Sequence, residues 1–365
     1  MKKLFLMTAM VLGSSVAVMA QDAKTLSAEF KALQGQVSKA QDAVILGQGD
    51  ANAFYGMVND LFAKGYALDK VAEQPDAKGK VKNNFRKPNS EVLNQLRGQL
   101  VNGGVEAFNS DNNQKALEFF GTYCDAAKHP MFERFNYAQT DTMLPMISYY
   151  AALAATRIEN YEAVLKYADA GTLDKENGST AMQLKAEAYK KLGDMDKYVA
   201  TLNEGISKFP SQSGSFALGI IDNYVQAGQL DQALAFCDQR IASTGDYISY
   251  YMKGYVLTNQ KKYDEADEAF AKSVSMESTN AQIFYFAGQN LIDKVIEMEN
   301  NGPKYGEDGY EKLVDDINGV FKKAEPYFEK AKELAPDQPA LWKAYLNQIY
   351  YRLKEMDKYE ALQNS

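Results

Sequence analysis

Residues 247–280 read YISYYMKGYVLTNQKKYDEADEAFAKSVSMESTN, and this stretch decides the fold. Counted from its first residue, Tyr250 stands at offset 4, Gly254 at 8, Ala266 at 20 and Phe270 at 24. Offsets 4 and 8 share one face of a first helix, and offsets 20 and 24 share one face of a second helix. The segment therefore predicts an antiparallel helix pair, in which small residues let the helices approach and large residues fill the gap.

The same frame recurs with a period of about 34 residues. From Ser179 it gives Met182 and Ala186, and from Gly214 it gives Ile221 and Tyr224. Because one pair cannot bury its apolar face alone, we expect stacked pairs in an all-α, right-handed solenoid with a concave and a convex side. The predicted repeats lie near 97–130, 145–178, 179–212, 214–246, 247–280 and 281–338, followed by a capping hairpin at 339–365.

The last full repeat contains an insertion between its two helices. Ala324 and Phe328 match offsets 20 and 24 only if 24 residues are inserted before them. The first helix is predicted to continue to about Asn300, and the second to begin near Tyr310 and to kink or restart near Pro326. We expect this long helical hairpin to protrude as an arm, which holds a partner or forms a homodimer, unless it is a spacer that packs on its own solenoid.

Residues 1–20 have the features of a secretory signal peptide. Two lysines, Lys2 and Lys3, precede an apolar stretch from Leu4 to Leu12, and the small residue Ala20 ends the segment. The apolar run is shorter than the ~20 residues that a membrane span needs. We therefore predict cleavage after Ala20 and a periplasmic or secreted protein without a membrane span, and the absence of a cysteine at the junction argues against a lipid anchor.

Residues 21–96 are helical by pattern but out of register with the later repeats. Leu26, Phe30 and Leu33 have helical spacing, and Phe54 and Leu61 belong to a second apolar face. We interpret this stretch as an N-terminal helical region. The pattern leaves open whether it contains one or two degenerate repeats.

The charge balance argues against nucleic acid as a partner. The chain has 40 basic and 48 acidic residues, and removal of Lys2 and Lys3 leaves 38 basic residues and a net charge of about −10. One basic cluster, between Pro75 and Pro88, is interpreted as a solvated linker. Cys124 and Cys237 fall on the second helices of repeats that are three apart, which predicts two free, buried thiols.

The residue types that catalytic and metal sites need are scarce. His129, directly before Pro130, is the single histidine, so any site with two histidine ligands is excluded. Neither a phosphate-binding glycine loop nor a calcium-binding DxDxDG loop is present. We therefore predict no enzymatic activity, no cofactor and no metal.

The concave groove of such a solenoid is lined chiefly by offsets 2, 5, 9, 12 and 13 of each frame. These offsets give a surface rich in tyrosine and amides, which suits an extended peptide of a protein partner. Two further readings stay open: Tyr251 and Tyr255 stack on the rings of a carbohydrate or other small ligand, or the tyrosines merely pack against the next repeat. The same offsets include Asp222 and Asp293. The candidate groove residues are Tyr149, Arg157, Gln183, Glu187, Lys190, Tyr251, Tyr255, Asn259, Tyr285 and Gln289.

The repeat frame resembles the tetratricopeptide repeat, whose pattern runs W-x2-L-G-x2-Y, then A-x3-F, then P. The inserted last repeat, the segment GKVK at 79–82 and the closing stretch LAPDQPALW at 334–342 resemble exported tetratricopeptide proteins of Bacteroidota. This resemblance implies a helical solenoid in the cell envelope that acts as a non-catalytic interaction scaffold. The alternative hypothesis, which depends on the tyrosines of the groove, is a carbohydrate- or small-ligand-binding component of an envelope uptake system.

Overall fold

The computed structural model describes residues 23–75, 79–81 and 83–364, so the predicted signal peptide and its cleavage point lie outside the described residues. All regular structure in these ranges is helical. The chain divides into two compact units, of which the first ends at Gly205 and the second begins at Ile206. The prediction of an all-α fold built from consecutive helix pairs is confirmed. No helix within the described ranges is long and apolar enough to cross a membrane.

The first unit is built from helices that pack in consecutive pairs around one apolar core. Its helices are α1 (Ala23–Ile45), α2 (Ala51–Ala72), α3 (Arg86–Asn109), α4 (Asn113–Ala126), α5 (Tyr137–Thr140), α6 (Leu144–Arg157), α7 (Tyr161–Gly171), α8 (Gly178–Lys191) and the greater part of α9 (Met195–Lys208).

The predicted boundary at residue 96 differs from the structure, because α3 runs through it without a break. Leu93 of this helix is fully buried and lies against Gly65 of α2, where a built Cβ would be 2.7 Å from Leu93 Cδ1 and 3.3 Å from the ring of Phe30 in α1. The N-terminal helices therefore share their core with the first predicted repeat. The first helix of that repeat begins at Arg86 rather than at 97.

The basic cluster that we interpreted as a solvated linker is partly a structural element. Arg86 donates from Nε to Asp69 Oδ1 at 2.9 Å and from Nη2 to Asp69 Oδ2 at 2.7 Å. Asp69 is almost completely buried, and Asn83 also donates to it. Arg86 therefore neutralises a buried carboxylate, and the linker reading is wrong for this residue.

The second unit contains the remaining pairs, including the inserted one. Its helices are α10 (Ser213–Gln226), α11 (Leu230–Ser243), α12 (Tyr247–Asn259), α13 (Tyr263–Met276), α14 (Ala281–Asn301), α15 (Tyr310–Leu334), α16 (Lys343–Leu353) and α17 (Met356–Gln363). The long hairpin is confirmed, since α14 and α15 have 21 and 25 residues where α12 and α13 have 13 and 14. Helix α15 continues through Pro326.

The turns inside the helix pairs share one backbone design. Except in the inserted pair α14 and α15, each has a residue with positive φ just after the first helix, and the next N–H donates to the carbonyl five residues back, as from Asp194 to Tyr189 at 2.9 Å. In four successive turns of this kind the positive-φ residues are spaced by 34, 35 and 33 residues, which reproduces the period read from the side chains. They are Glu159, Gly193, Gly228 and Lys261.

A 17-residue connector, 127–143, separates α4 from α6 and interrupts this spacing. It contains a 3-10 helix, Pro130–Phe135, and the short helix α5. The buried Arg97 of α3 holds it: Nη1 lies 2.6 Å from Asp141 Oδ2, and the guanidinium lies 3.6 Å from the ring centre of Tyr123 and 3.9 Å from that of Tyr137. The connector is thereby fixed to the first unit.

Candidate functional site

A cleft of about 250 Å³ opens in the second unit between α12 and α14, the first helices of two successive pairs. Tyr255, Asn259 and Gln289, three of the ten predicted groove residues, contribute to its walls. Asp293, which the same offsets pick out, also lines it. The complete lining is Tyr255, Thr258, Asn259, Phe270, Phe286, Gln289, Asn290 and Asp293.

Two polar residues of this lining form hydrogen bonds that hold the helices of the fold together. Thr258 donates from Oγ1 to Asn290 Oδ1 at 2.8 Å, which joins α12 to α14. Asn290 is fully buried, and its Nδ2 donates to the carbonyl of Tyr263 at 2.9 Å. A buried asparagine with both ends bonded stabilises helix packing, so Thr258 and Asn290 position the cleft.

Two other polar residues retain acceptor capacity. Gln289 donates from Nε2 to Asp293 Oδ1 at 2.8 Å, one helical turn away. Gln289 Oε1 is buried and accepts no hydrogen bond from the part of the chain that the structure describes. Asp293 is half-buried, and this burial raises the pKa of its carboxyl, against the opposing effect of the Gln289 hydrogen bond. The cleft thus contains an unsatisfied acceptor beside a carboxylate.

Phe286 organises the aromatic side of the cleft. Its ring centre lies 5.5 Å from that of Tyr251, 6.1 Å from that of Tyr255 and 5.0 Å from that of Tyr285, all in edge-to-face arrangements. Tyr285 in turn packs on Tyr345 of α16, with ring centres 5.8 Å apart. The structure therefore brings the three predicted tyrosines of this unit together.

Sequence reasoning missed Phe286, which stands at offset 6 of its frame, outside the offsets used for the groove. The signal that could have found it is its place next to Tyr285, since on a helix an adjacent residue is turned by about 100° and still borders the same face. The tyrosines around it are partly packed rather than wholly free. Burial, followed by the charge of Asp222 in α10, raises the pKa of Tyr251 and of Tyr255.

The electrostatic character of the cleft is negative. The charge of Asp222 adds to the effect of burial in raising the pKa of Tyr255. The pKa of Tyr345 is raised by burial, by the hydrogen bond with Tyr285 and, to a smaller extent, by the charge of Asp293. The lysine that follows Asp293, Lys294, pairs instead with Asp264. Burial raises the pKa of Asp293, and the hydrogen bond from Gln289 opposes this rise. No positively charged group of the described chain contributes to the shift.

The five predicted groove residues of the first unit serve mainly in packing or lie at the surface. Tyr149 is buried, and a side chain on Gly171 would meet its backbone at 3.0 Å. The guanidinium of Arg157 lies 4.1 Å from the ring centre of Phe108. The remaining three are the exposed Gln183, Glu187 with an ion pair to Lys191 at 3.7 Å, and Lys190, whose Nζ lies 5.4 Å from the ring centre of Tyr198.

A larger depression of about 720 Å³ borders the cleft at Asn259 and lies between the segments 228–232 and 259–262. Its walls are the exposed ends of two helix pairs, and it is wide open to solvent. Because it lacks an aromatic side chain, it offers little apolar area for a ligand to bury. The cleft between α12 and α14 is therefore the stronger candidate.

A comparison with protein families identifies the repeat to which α12 belongs. The matching model is described as a tetratricopeptide repeat, and it covers residues 247–280. These residues are a tetratricopeptide repeat. Tyr251, Tyr255 and Asn259 lie on the first helix of this tetratricopeptide repeat, at offsets 5, 9 and 13.

Solved structures of tetratricopeptide repeat proteins, several of them from Bacteroidota, are similar to the chain. The C-terminal part of a repeat protein from Cytophaga hutchinsonii has 15% identity, with 71% of this chain and 89% of that chain covered and a TM-score of 0.41. A protein from Bacteroides fragilis has 20% identity, 70% and 98% coverage and a TM-score of 0.34. One from Parabacteroides merdae has 13% identity, 70% and 99% coverage and a TM-score of 0.40. No curated protein matches the sequence.

Proposed function

We propose that the chain is a non-catalytic scaffold that binds an extended segment of a protein partner in the cleft between α12 and α14. The observation that carries this proposal is the combination of an aromatic wall, centred on Phe286, with the unsatisfied acceptor of Gln289 in one concave site. Extended peptides offer backbone N–H donors and side chains that fit such a site. The tetratricopeptide repeat at 247–280 supports an interaction role.

The geometry favours a peptide over a carbohydrate. A sugar ring stacks on the open face of an aromatic side chain, and Tyr251 and Tyr255 are the candidates for this role. Both rings already pack edge-to-face with Phe286, and the ring of Tyr251 also lies 6.1 Å from that of Phe270. Because these rings already contact other aromatic rings, they offer little free area on which a sugar ring could stack. Together with the neighbouring amide and carboxylate groups, they suit the varied side chains of a peptide better.

The proposed location is the periplasm or the exterior of the cell, and it rests on the composition of residues 1–20. The basic start, the short apolar stretch and the small residue at position 20 are typical of a cleaved signal. The test is N-terminal sequencing of the protein recovered from fractionated cells. A mature chain that begins at Gln21 would support the proposal, and one that retains Met1 in the cytoplasm would contradict it.

A homodimer through the arm is a second part of this proposal. At its tip, Tyr305 is 87% exposed and lies edge-to-face with Tyr310, at 5.5 Å between ring centres. Close to the tip, near the end of α14, Arg352 of α16 donates to Glu299 at 2.8 Å and holds the arm against α16. Sedimentation equilibrium should show association that Tyr305→Ser weakens, and a chain that is monomeric at all concentrations would contradict it.

The peptide-binding proposal is tested by selection from a displayed library of random peptides against the whole chain. Asn259→Trp places a large ring at the exposed rim of the cleft, and Ser275→Trp places the same ring on an exposed position of α13 outside it. Selected peptides should lose at least about tenfold in affinity for the first variant and little for the second. No enrichment, or equal loss in both variants, would overturn the proposal.

A further inference from the structure

We propose that the cleft between α12 and α14 binds the side chain of an arginine in the partner's segment. This inference rests on the proposed peptide-binding function and names the side chain that the cleft selects. Three features of the cleft lead to it: its acceptors, its aromatic rings and its negative charge.

The acceptors of the cleft call for a ligand with several donors. Gln289 Oε1 is buried without a donor, and Asp293 receives only the Gln289 amide among the bonds recorded for the described residues. Buried polar atoms in native proteins nearly always have a partner, so an orphan acceptor inside a cleft marks a position where a ligand donates. A guanidinium carries five N–H donors in a fixed plane and can serve a carboxylate and an amide oxygen together.

The aromatic rings favour a guanidinium over an ammonium group. Phe286 and Tyr255 line the same cleft as Asp293. The planar guanidinium stacks on aromatic faces and is more weakly hydrated than the lysine ammonium, so it loses less on entering a half-buried site. Its three-carbon stem would lie along the apolar wall.

The charges around the cleft complement a cation. Asp293 lines the cleft, the charge of Asp222 adds to the effect of burial on the pKa of Tyr255, and the whole chain has a net charge of −8. Three lysines close in sequence to cleft residues are already paired, Lys253 with Asp238 at 2.7 Å, Lys261 with Glu297 at 2.8 Å and Lys294 with Asp264. No positively charged group of the described chain therefore influences the carboxylate of Asp293.

The first unit contains an internal example of the same chemistry. Arg97 is held there by the carboxylate of Asp141 at 2.6 Å, with its guanidinium against the rings of Tyr123 and Tyr137. The cleft offers a similar set of groups, a carboxylate, an amide oxygen and aromatic rings, without an arginine. A guanidinium from another chain would complete it.

The test uses the whole chain and fluorescent heptapeptide pools in which the central residue is arginine, lysine, citrulline or glutamate and the other positions are random. Citrulline keeps the shape of arginine but has no charge. We expect the arginine pool to bind at least about tenfold more tightly than the citrulline pool, with lysine between them. In Asp293→Asn, which keeps an acceptor for the Gln289 amide, this difference should disappear while a thermal melt shows an intact fold.

The outcomes separate the two proposals. If the pools bind the wild-type chain and lose affinity for Asn259→Trp, but the arginine and citrulline pools bind equally, the cleft binds peptides and the arginine inference is wrong. It is equally wrong if Asp293→Asn keeps the preference for arginine. If none of the four pools binds the wild-type chain, the peptide-binding function itself fails, and the arginine inference fails with it.

Discussion

Gly254 of α12 lies directly against the ring of Phe270 of α13: a Cβ built on this glycine would be 2.9 Å from three atoms of that ring. The two residues hold offsets 8 and 24 of their repeat. The same pairing recurs between Gly104 and Phe120. This contact sets how closely the two helices of a pair approach, and Phe270, which is 1% exposed, has no room to move aside.

We therefore expect Gly254→Ala to lower the free energy of unfolding by about 1–3 kcal/mol through overpacking, reduced by the ~1 kcal/mol that alanine gains over glycine in a helix. Gly319→Ala is the matched control, since Gly319 is exposed in the middle of α15 and nothing lies within 4 Å of its built Cβ. That variant should be more stable than wild type by about 0.5–1 kcal/mol. Equal urea midpoints for the two variants would contradict the packing argument.

The buried cluster around Arg97 predicts a large loss of stability when one partner is removed. Arg97 and Asp141 are both largely buried, at 7% and 10% side-chain exposure, and Tyr123 also donates to Asp141 at 2.7 Å. Arg97→Met should cost about 3–5 kcal/mol, because it leaves a buried carboxylate without its cation. Urea unfolding measures this loss.

The double variant Arg97→Met/Asp141→Asn distinguishes an ion pair from simple packing. Because the asparagine carries no charge, the double variant should lose clearly less than the sum of the two single variants. Strict additivity would show that the two charges do not interact.

Much of the second unit could be predicted from the sequence because its signal is local and periodic. The pair α12 and α13 follows from small and large residues at fixed offsets, and the long pair α14 and α15 follows from the delay before Ala324 and Phe328. The turn at Lys261 confirms the period, although lysine itself gives no sign of positive φ. Such features depend on neighbours within one repeat.

Contacts between distant parts of the chain could not be predicted in the same way. The salt bridge from Arg86 to Asp69 and the path of α3 through residue 96 depend on how the N-terminal helices pack. In the cleft, offsets found Tyr255, Gln289 and Asp293, but the central position of Phe286 comes from three rings that converge on it in space. Periodicity marks which face a residue occupies and does not tell which side chains on that face contact each other.

The two thiols should be unreactive in the folded protein. Cys124 and Cys237 are buried and unpaired, as the sequence predicts, and burial raises the pKa of each thiol to about 12. At pH 8 almost no thiolate is present, so a thiol reagent should label neither residue until guanidinium chloride unfolds the chain. Ser211→Cys, at an exposed position, is the positive control. Rapid labelling of one native thiol would contradict the burial of that residue.

The charged carboxylate of Asp293 should lower the stability of the fold at neutral pH. Burial raises the pKa of its carboxyl above the usual value of 3.8. A raised carboxyl pKa means that the folded state prefers the protonated form, so the wild-type chain is relatively more stable below the ordinary pKa and loses that advantage as pH rises through the raised one. Asp293→Asn removes the buried charge and should raise the melting temperature at pH 7, with the gain shrinking as the pH falls toward 4.

Asp194 provides the control of opposite sign. The hydrogen bonds from Lys197 lower the pKa of this exposed carboxyl, so its charged form supports the fold at neutral pH and the support is lost as the pH falls through the lowered pKa. Asp194→Asn should therefore lower the melting temperature at pH 7 and have little effect in acid. If Asp293→Asn instead destabilises the chain at pH 7, the carboxylate contributes to the fold, and its placement in the cleft would no longer require a ligand to explain it.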